Sequence, residues 1–263
     1  MKSILVPTDF SPVSLNALHY AAAFCAEQDY KLYILNVMHV PAIDANAGIE
    51  LSETLMQNER SKTEKKMKLI QDELAQQSSI QTETRCLFGL GSDVIVEQAQ
   101  ELDIDYIFMG TSGESGMLST LLGSVTLSVS RKSKVPVLAI PENAQFKGFN
   151  YIVFGNDHKE KLESNIDAIS NLNKGLDTKV AIVSVEPGSE EYSEEVIFDK
   201  ANFKEVSIWS KSVSSGIQEY LETEEADMLV LKHHERNFIQ ELFQKSTTKE
   251  LLMECTVPLL ILN

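Results

Sequence analysis

What is scarce in this chain narrows its class before any motif is read. Its 263 residues hold three cysteines, Cys25, Cys86 and Cys255, far apart and with no CxxC pair. An odd number at such spacing gives no disulfide framework and points to a reducing compartment. No apolar run approaches the roughly 18 residues that a membrane-spanning helix needs. The opening Met1-Lys2-Ser3 leads straight into Ile4-Leu5-Val6 rather than into the long apolar core of a leader peptide. Positive charge is also short: 23 Lys and Arg stand against 39 Asp and Glu, a net charge of −16. Nucleic acid and anionic membranes both need a basic footprint, so neither is expected as the main partner. The expectation is a cytoplasmic chain. Its acidic excess is uneven, −6 over residues 1–147 and −10 over 148–263, and reads as a solvated surface that favours solubility.

What is present is a regular alternation of strand-like and helix-like segments. Ser3–Pro7 reads as a strand, and Thr8-Asp9-Phe10-Ser11 as a turn and cap. A helix follows with Leu15, Leu18, Ala22 and Cys25 at helical spacing. Lys31–Val40 reads as a strand, Glu50–Gln77 as a long charged helix with an apolar stripe that thins in its middle, and Ile80–Phe88 as a weaker strand. Gly91–Leu102 reads as a helix capped by Ser92 or Asp93, Ile104–Met109 as a buried strand, and Val135–Ile140 as a closing strand. Such alternation implies a mainly parallel sheet with helices on both faces, whose ligands sit beyond the carboxyl ends of the strands. Asp9, Val37 and Gly110 each end a strand and are expected to converge there.

The order then repeats. Ile152–Asp157 echoes Ile4–Asp9, Lys179–Val185 echoes Lys31–Val37, Glu225–Leu231 echoes Leu102–Met109, and Val257–Leu262 echoes Val135–Ile140. A period this long is a domain duplication rather than a solenoid. The polar stretch Pro141–Gly148 marks the joint, giving domains at 1–144 and 149–263. The second is shorter because it lacks most of the long helical region at 42–77.

The densest signal lies between a strand and a helix: Gly110-x2-Gly113-x9-Gly123-Ser124-Val125-Thr126. Glycines there let backbone approach a bulky anion, and the unpaired N–H groups of a helix start can hold it. With Ile4-Leu5-Val6-Pro7-Thr8-Asp9-Phe10-Ser11, the Leu35-Asn36-Val37 strand end and a closing Val135-Pro136-Val137 strand, the chain resembles a universal stress protein in tandem form, with a first domain like the family's ATP-binding branch. The resemblance implies two Rossmann-like domains of the adenine nucleotide alpha hydrolase type, each an α/β unit with a mainly parallel five-stranded sheet. It places Pro7, Thr8 and Asp9 on the adenine and ribose side, and Val37 against the base. Gly110 and Gly113 would border ribose and phosphates. Gly123, Ser124, Val125 and Thr126 would bind phosphate through N–H groups and two hydroxyls. The implied ligand is ATP, with Mg²⁺ as its companion and AMP or ADP as alternatives. The resemblance also implies that closing strands pair, here 135–140 with 257–262 as an intramolecular pseudo-dimer, and that two chains can associate further as a homodimer.

The second copy departs from this pattern. Aligning Val257 with Val135 sets Lys232 opposite Gly110, Glu235 opposite Gly113 and Lys245 opposite Gly123, while Ser246 and Thr248 keep the hydroxyls. Gly155-Asn156 replaces Pro7-Thr8, with Asp157 retained. Side chains where backbone must meet phosphate would occlude the pocket, so one nucleotide per chain is expected. His233-His234-Glu235 is a poor metal site, since neighbouring side chains diverge and no second cluster adds ligands. No lysine occurs between Gly110 and Ser130, unlike efficient phosphoryl-transfer sites. Thr111, Ser112, Ser115, Ser119 and Ser124 could accept a phosphoryl group but read first as loop hydrogen-bonding residues. The leading expectation is a regulatory ATP-binding protein in stress response, working with a protein partner and with slow hydrolysis or none. The alternatives are a slow nucleotidase or phosphotransferase, and a nucleotide-free interaction protein.

Overall fold

The computed structural model describes residues 1–39, 49–111, 123–156, 178–200, 202–232 and 257–262. Five strands come first: β1 (Ser3–Pro7), β2 (Lys31–Met38), β3 (Thr82–Phe88), β4 (Tyr106–Gly110) and β5 (Val137–Ile140). Between them run α1 (Pro12–Gln28), α2 (Ile49–Gln77), α3 (Gly91–Glu101) and α4 (Ser124–Lys132). The second half supplies β6 (Tyr151–Asn156), β7 (Lys179–Pro187), β8 (Ser193–Lys200), β9 (Phe203–Ser210), α5 (Val213–Thr223), β10 (Met228–Lys232) and β11 (Leu259–Leu262). All eleven strands form one sheet in the order β3-β2-β1-β4-β5-β11-β10-β6-β7-β9-β8. The strand order of the first half, 3-2-1-4-5, recurs in the second as β9-β7-β6-β10-β11. The result is an α/β fold of two tandem Rossmann-like halves.

The second half differs from the expected five strands. Where α2 links β2 to β3, the strand β8 links β7 to β9 and pairs antiparallel with β9 at the sheet edge, with a bulge between Val196 and Phe198. The β-branched and aromatic run Val196-Ile197-Phe198, preceded by a turn at Gly188 with φ 113°, carries the strand propensity. The acidic residues around it hid that signal. Glu194, Glu195, Asp199 and the bulge also discourage edge-to-edge pairing with other chains.

The duplication extends to small details. Asp105 precedes β4, and its Oδ2 accepts from Ser3 N at 2.7 Å. Asp227 precedes β10, and its Oδ2 accepts from Asn150 N and Tyr151 N at 2.7 and 2.8 Å. The helix before each strand ends alike, with Asp103 and Glu225 in the left-handed region at φ 51° and 50°. The following N–H of Ile104 and Ala226 reaches back to Ala99 O and Leu221 O, a Schellman-type closure.

β5 and β11 meet antiparallel, with Leu138 opposite Leu260, Val137 opposite Ile261 and Ala139 opposite Leu259. Val137 corresponds to Leu259 and Ala139 to Ile261, so this register is symmetric about the Leu138–Leu260 pair. On one face of the sheet a single buried cluster crosses the seam, from Ile4, Phe24 and Phe108 to Leu260, Val230 and Ile152. On the other face two clusters meet on β5. Val137 belongs with Ile95, Ile107 and Val129, and Ala139 with Leu259, Ile261 and Ile217.

The stretch after β5 is not a loose tether. Asn16 Nδ2 donates to Pro141 O and Ala144 O at 2.9 and 3.0 Å. Phe146 and Phe149 pack on Phe24 with ring centroids 5.4 and 5.9 Å away. Asn16→Ala would strip both carbonyls of their side-chain donor, at an expected cost of about 1–3 kcal/mol. Urea unfolding and limited proteolysis within 141–149 measure the two consequences. Cys25, 1% exposed, has its thiol pushed up to about 12 by burial. At pH 8 the thiolate is then only about one part in ten thousand. Alkylation mapped by mass spectrometry should leave Cys25 unmodified in the native chain and modified after denaturation.

Candidate functional site

In the first half the sheet order reverses between β1 and β4: the chain builds outward through β2 and β3, then returns to the other side of β1. The carboxyl ends of these two strands therefore flank a crevice. Pro7, Thr8 and Asp9 close one side, and Gly110 closes the other.

The β1–α1 turn is fixed from within. Thr8 N donates to Leu35 O at 2.8 Å, and Asn36 Nδ2 donates to Thr8 O at 2.7 Å. Phe10 N donates to Thr8 Oγ1 at 3.0 Å, which holds Phe10 at φ 65°. Ser14 Oγ donates to Ser11 O at 3.1 Å and lies 3.0 Å from Thr8 Oγ1. Either hydroxyl can donate in that pair. The Thr8 hydroxyl is thus bonded inside the protein and shapes the turn. Asp9 is exposed, and its Oδ1 accepts from Ser11 N at 3.0 Å. The cap of α1 is Ser11, which accepts from Ser14 N, so Asp9 orders the turn one step before the helix. Lys66 of α2 lies 5.1 Å from the centre of the Phe10 ring, tying the turn to a second helix.

Val37 lies beyond the last β1 partner of β2, since Pro7 pairs with Leu35. It is half-buried and packs on the cluster beneath α3 and α4. Gly110 is buried at the end of β4. A Cβ there would sit 2.8 Å from Val13 Cγ1 and 3.0 Å from Val13 C and O, so only glycine lets β4 end this close to the first turn of α1.

The residues after the loop close it. Gly123 N donates to Thr111 O, and Thr126 Oγ1 donates to Gly110 O at 2.9 Å. Thr126 is buried, and its proton joins α4 to β4. Ser124 and Val125 are exposed. The N-cap of α4 is Gly123, without a side-chain cap hydrogen bond. Ser124 is the first helical residue and not the cap. The cap of α3 is likewise Leu90, with no side-chain hydrogen bond, rather than Ser92 or Asp93. Gly113, Ser112, Ser115 and Ser119 lie outside the described residues.

Asn36, Ser14 and Val13 are parts of the site that the motif did not single out. A buried Asn between apolar residues at a strand end was the readable signal for Asn36, because such a side chain needs a partner.

In the second half, Lys232 pairs with Leu262 as Gly110 pairs with Ile140, and Asn156 takes the place of Thr8 beside β7. Lys232 is half-buried. A side chain therefore stands where the first half has none. Asp157, His233, His234, Glu235, Lys245, Ser246 and Thr248 lie outside the described residues. Among the described residues no group of three or more His, Cys, Asp or Glu could hold a metal ion, and no helix is long and apolar enough to cross a membrane.

Placing a methyl group on Gly110 would press on Val13 backbone, whereas on Gly155 it would meet the flexible end of Leu231 at 2.7 Å. Gly110→Ala should cost about 1–3 kcal/mol and Gly155→Ala less, as read from paired urea unfolding curves.

The universal stress protein family model matches residues 1–141 and 163–263. A universal stress protein of Methanocaldococcus jannaschii is 34% identical over 142 residues, 53% of this chain and 81% of that protein. One from Synechocystis is 23% identical over 286 residues and spans 99% of both chains. The crystal structure of a universal stress protein from Archaeoglobus fulgidus superposes with a TM-score of 0.70 at 16% identity, covering 98% of this chain and 95% of that one. The fold is thus shared along nearly the whole length. The chain belongs to the universal stress protein family.

Proposed function

We propose that this chain is a cytoplasmic, ATP-binding regulatory protein of the stress response, with one nucleotide per chain held by residues 1–144. The observation that carries the reading is the N-terminus of α4 at Gly123, tied by Thr126 to Gly110 at the point where the sheet order reverses. Such a terminus offers N–H donors and the positive end of a helix dipole to phosphate. Gly123, Ser124 and Val125 would serve the phosphates, Gly110 and Gly113 the ribose and phosphate edge, and Pro7, Asp9 and Val37 the base and ribose. Thr8 and Thr126 act by shape, since their hydroxyls are hydrogen-bonded within the protein. AMP and ADP fit the same donor set with fewer phosphate contacts, and Mg²⁺ would arrive with the nucleotide.

Slow turnover or none follows from the same residues. The loop supplies no lysine to neutralise charge developing on a transferred phosphoryl group. A nucleotidase or phosphotransferase would require turnover near 1 s⁻¹ or above, the ordinary enzyme range. Residues 149–263 serve as the second domain. Its Lys232 and degenerate loop favour a structural or partner-facing role, and the symmetric β5–β11 register supports an intramolecular pseudo-dimer. Association of two chains remains part of this reading.

Calorimetry with ATP should give a stoichiometry of one per chain. Gly123→Lys, which copies the second half, should abolish the heat while far-ultraviolet dichroism stays unchanged. Absence of binding at millimolar ATP favours the nucleotide-free interaction protein. Phosphate release measured with and without Mg²⁺ should stay well below about 1 s⁻¹.

A further inference from the structure

The first turn of α4 sends three consecutive side chains to three different places. Val125 Cγ1 lies 3.7 Å from where a Cβ on Gly91, at the start of α3, would stand. Thr126 binds Gly110 O at the end of β4. Leu127 packs against the buried cluster that joins Ala139 of β5 to Leu259 and Ile261 of β11 and to Leu229, Leu231 and Ile217 of the second half. Leu127 N also donates to Gly123 O at 2.9 Å, the first helical hydrogen bond of α4. One turn further on, Val129 is buried in the cluster of the first half, and Lys132 Nζ contacts Asp93 Oδ1 at 2.6 Å. One helix thus spans both cores on this face, and its crossing point is the turn at which phosphate binding is proposed.

We infer that Leu127 is a positioning residue that makes the second half a mechanical support of the nucleotide site. Phosphate binding at the α4 N-terminus and packing around β11 are then coupled in both directions. Ordering the N–H groups of Ser124 and Val125 around an anion fixes the pitch and tilt of the first turn. Leu127 cannot follow without moving against the cluster that Ala139 shares with Leu259 and Ile261, because a close-packed interior transmits displacement rather than absorbing it. Linkage makes the effect reciprocal: loosening the second-half cluster weakens nucleotide binding by the same factor by which nucleotide tightens the cluster. This gives a duplicated half with an altered crevice a role at the intact site. The inference rests on the ATP reading above.

Amide hydrogen exchange of the segment 257–262, measured with and without Mg²⁺-ATP, tests it together with calorimetry. ATP should slow exchange in that segment of the unsubstituted chain. Leu127→Ala should weaken ATP about five- to tenfold and remove the slowing at 257–262. Leu127→Met, which refills the volume, should restore both. Val129→Ala, which opens only the first-half cluster, should keep the response at 257–262 whatever it does to affinity. ATP binding with no change at 257–262, or equal affinity in Leu127→Ala, overturns the coupling and leaves the nucleotide reading standing. No ATP binding by the unsubstituted chain overturns both. Should Leu127→Ala fail to fold, the response of the unsubstituted chain and that of Leu127→Val decide.

Discussion

The antiparallel pairing of β5 with β11 is the interaction on which the rest of the architecture depends. Each is a four-residue strand that ends its own half, and each is buried at every position. Left unpaired, either would present a row of N–H and C=O groups beside apolar side chains, the most aggregation-prone arrangement a sheet can have. Paired, they join eleven strands into one sheet and let a single apolar cluster cross the seam on one face. Because the pairing is antiparallel, the two halves direct their strand ends to opposite edges of the sheet. The two crevices are therefore separated in space while their cores are continuous.

That separation freed the halves to diverge. The first keeps glycine at the end of β4, where Val13 leaves no room for a Cβ, and glycine at the start of the helix beside it. The second puts Lys232 at the corresponding strand end, and replaces a crossover helix with β8. Both retain what the fold needs: Asp105 and Asp227 below the central strands, and the left-handed residues Asp103 and Glu225 after the preceding helices. Duplicated framework and unduplicated crevice are the pattern expected when structure and ligand binding place demands on different residues.

The site itself is held by groups that never touch a ligand in the proposed reading. Asn36 and Ser14 fix Thr8 through its carbonyl and its hydroxyl. Thr126 fixes Gly110. Each is a buried polar group with its partner in place, so each costs little as built and much if one member is removed. The ends of β1 and β4 are thereby held in place by contacts within the protein.

Much of this was legible in the sequence. Period-two and period-3.6 patterns placed β1, β2, β4, β5 and every helix of the first half to within a few residues. The echo of Ile4–Asp9 in Ile152–Asp157 exposed the duplication. Glycine spacing next to a strand marked the loop on which the proposed phosphate site rests. The sequence could not say that the Thr8 and Thr126 hydroxyls turn inward. Residue type tells what a side chain can bond to, while its partner is chosen by elements far away in the chain, Ser14 and Gly110 in these cases. It also passed over β8, since Glu194, Glu195 and Asp199 mask a strand that exists only because β9 pairs with it. Local chemistry determined the elements and the repeat. Only tertiary packing decided that Leu127 of the loop helix packs on a cluster shared by both halves, because that cluster depends on the register of two strands 122 residues apart.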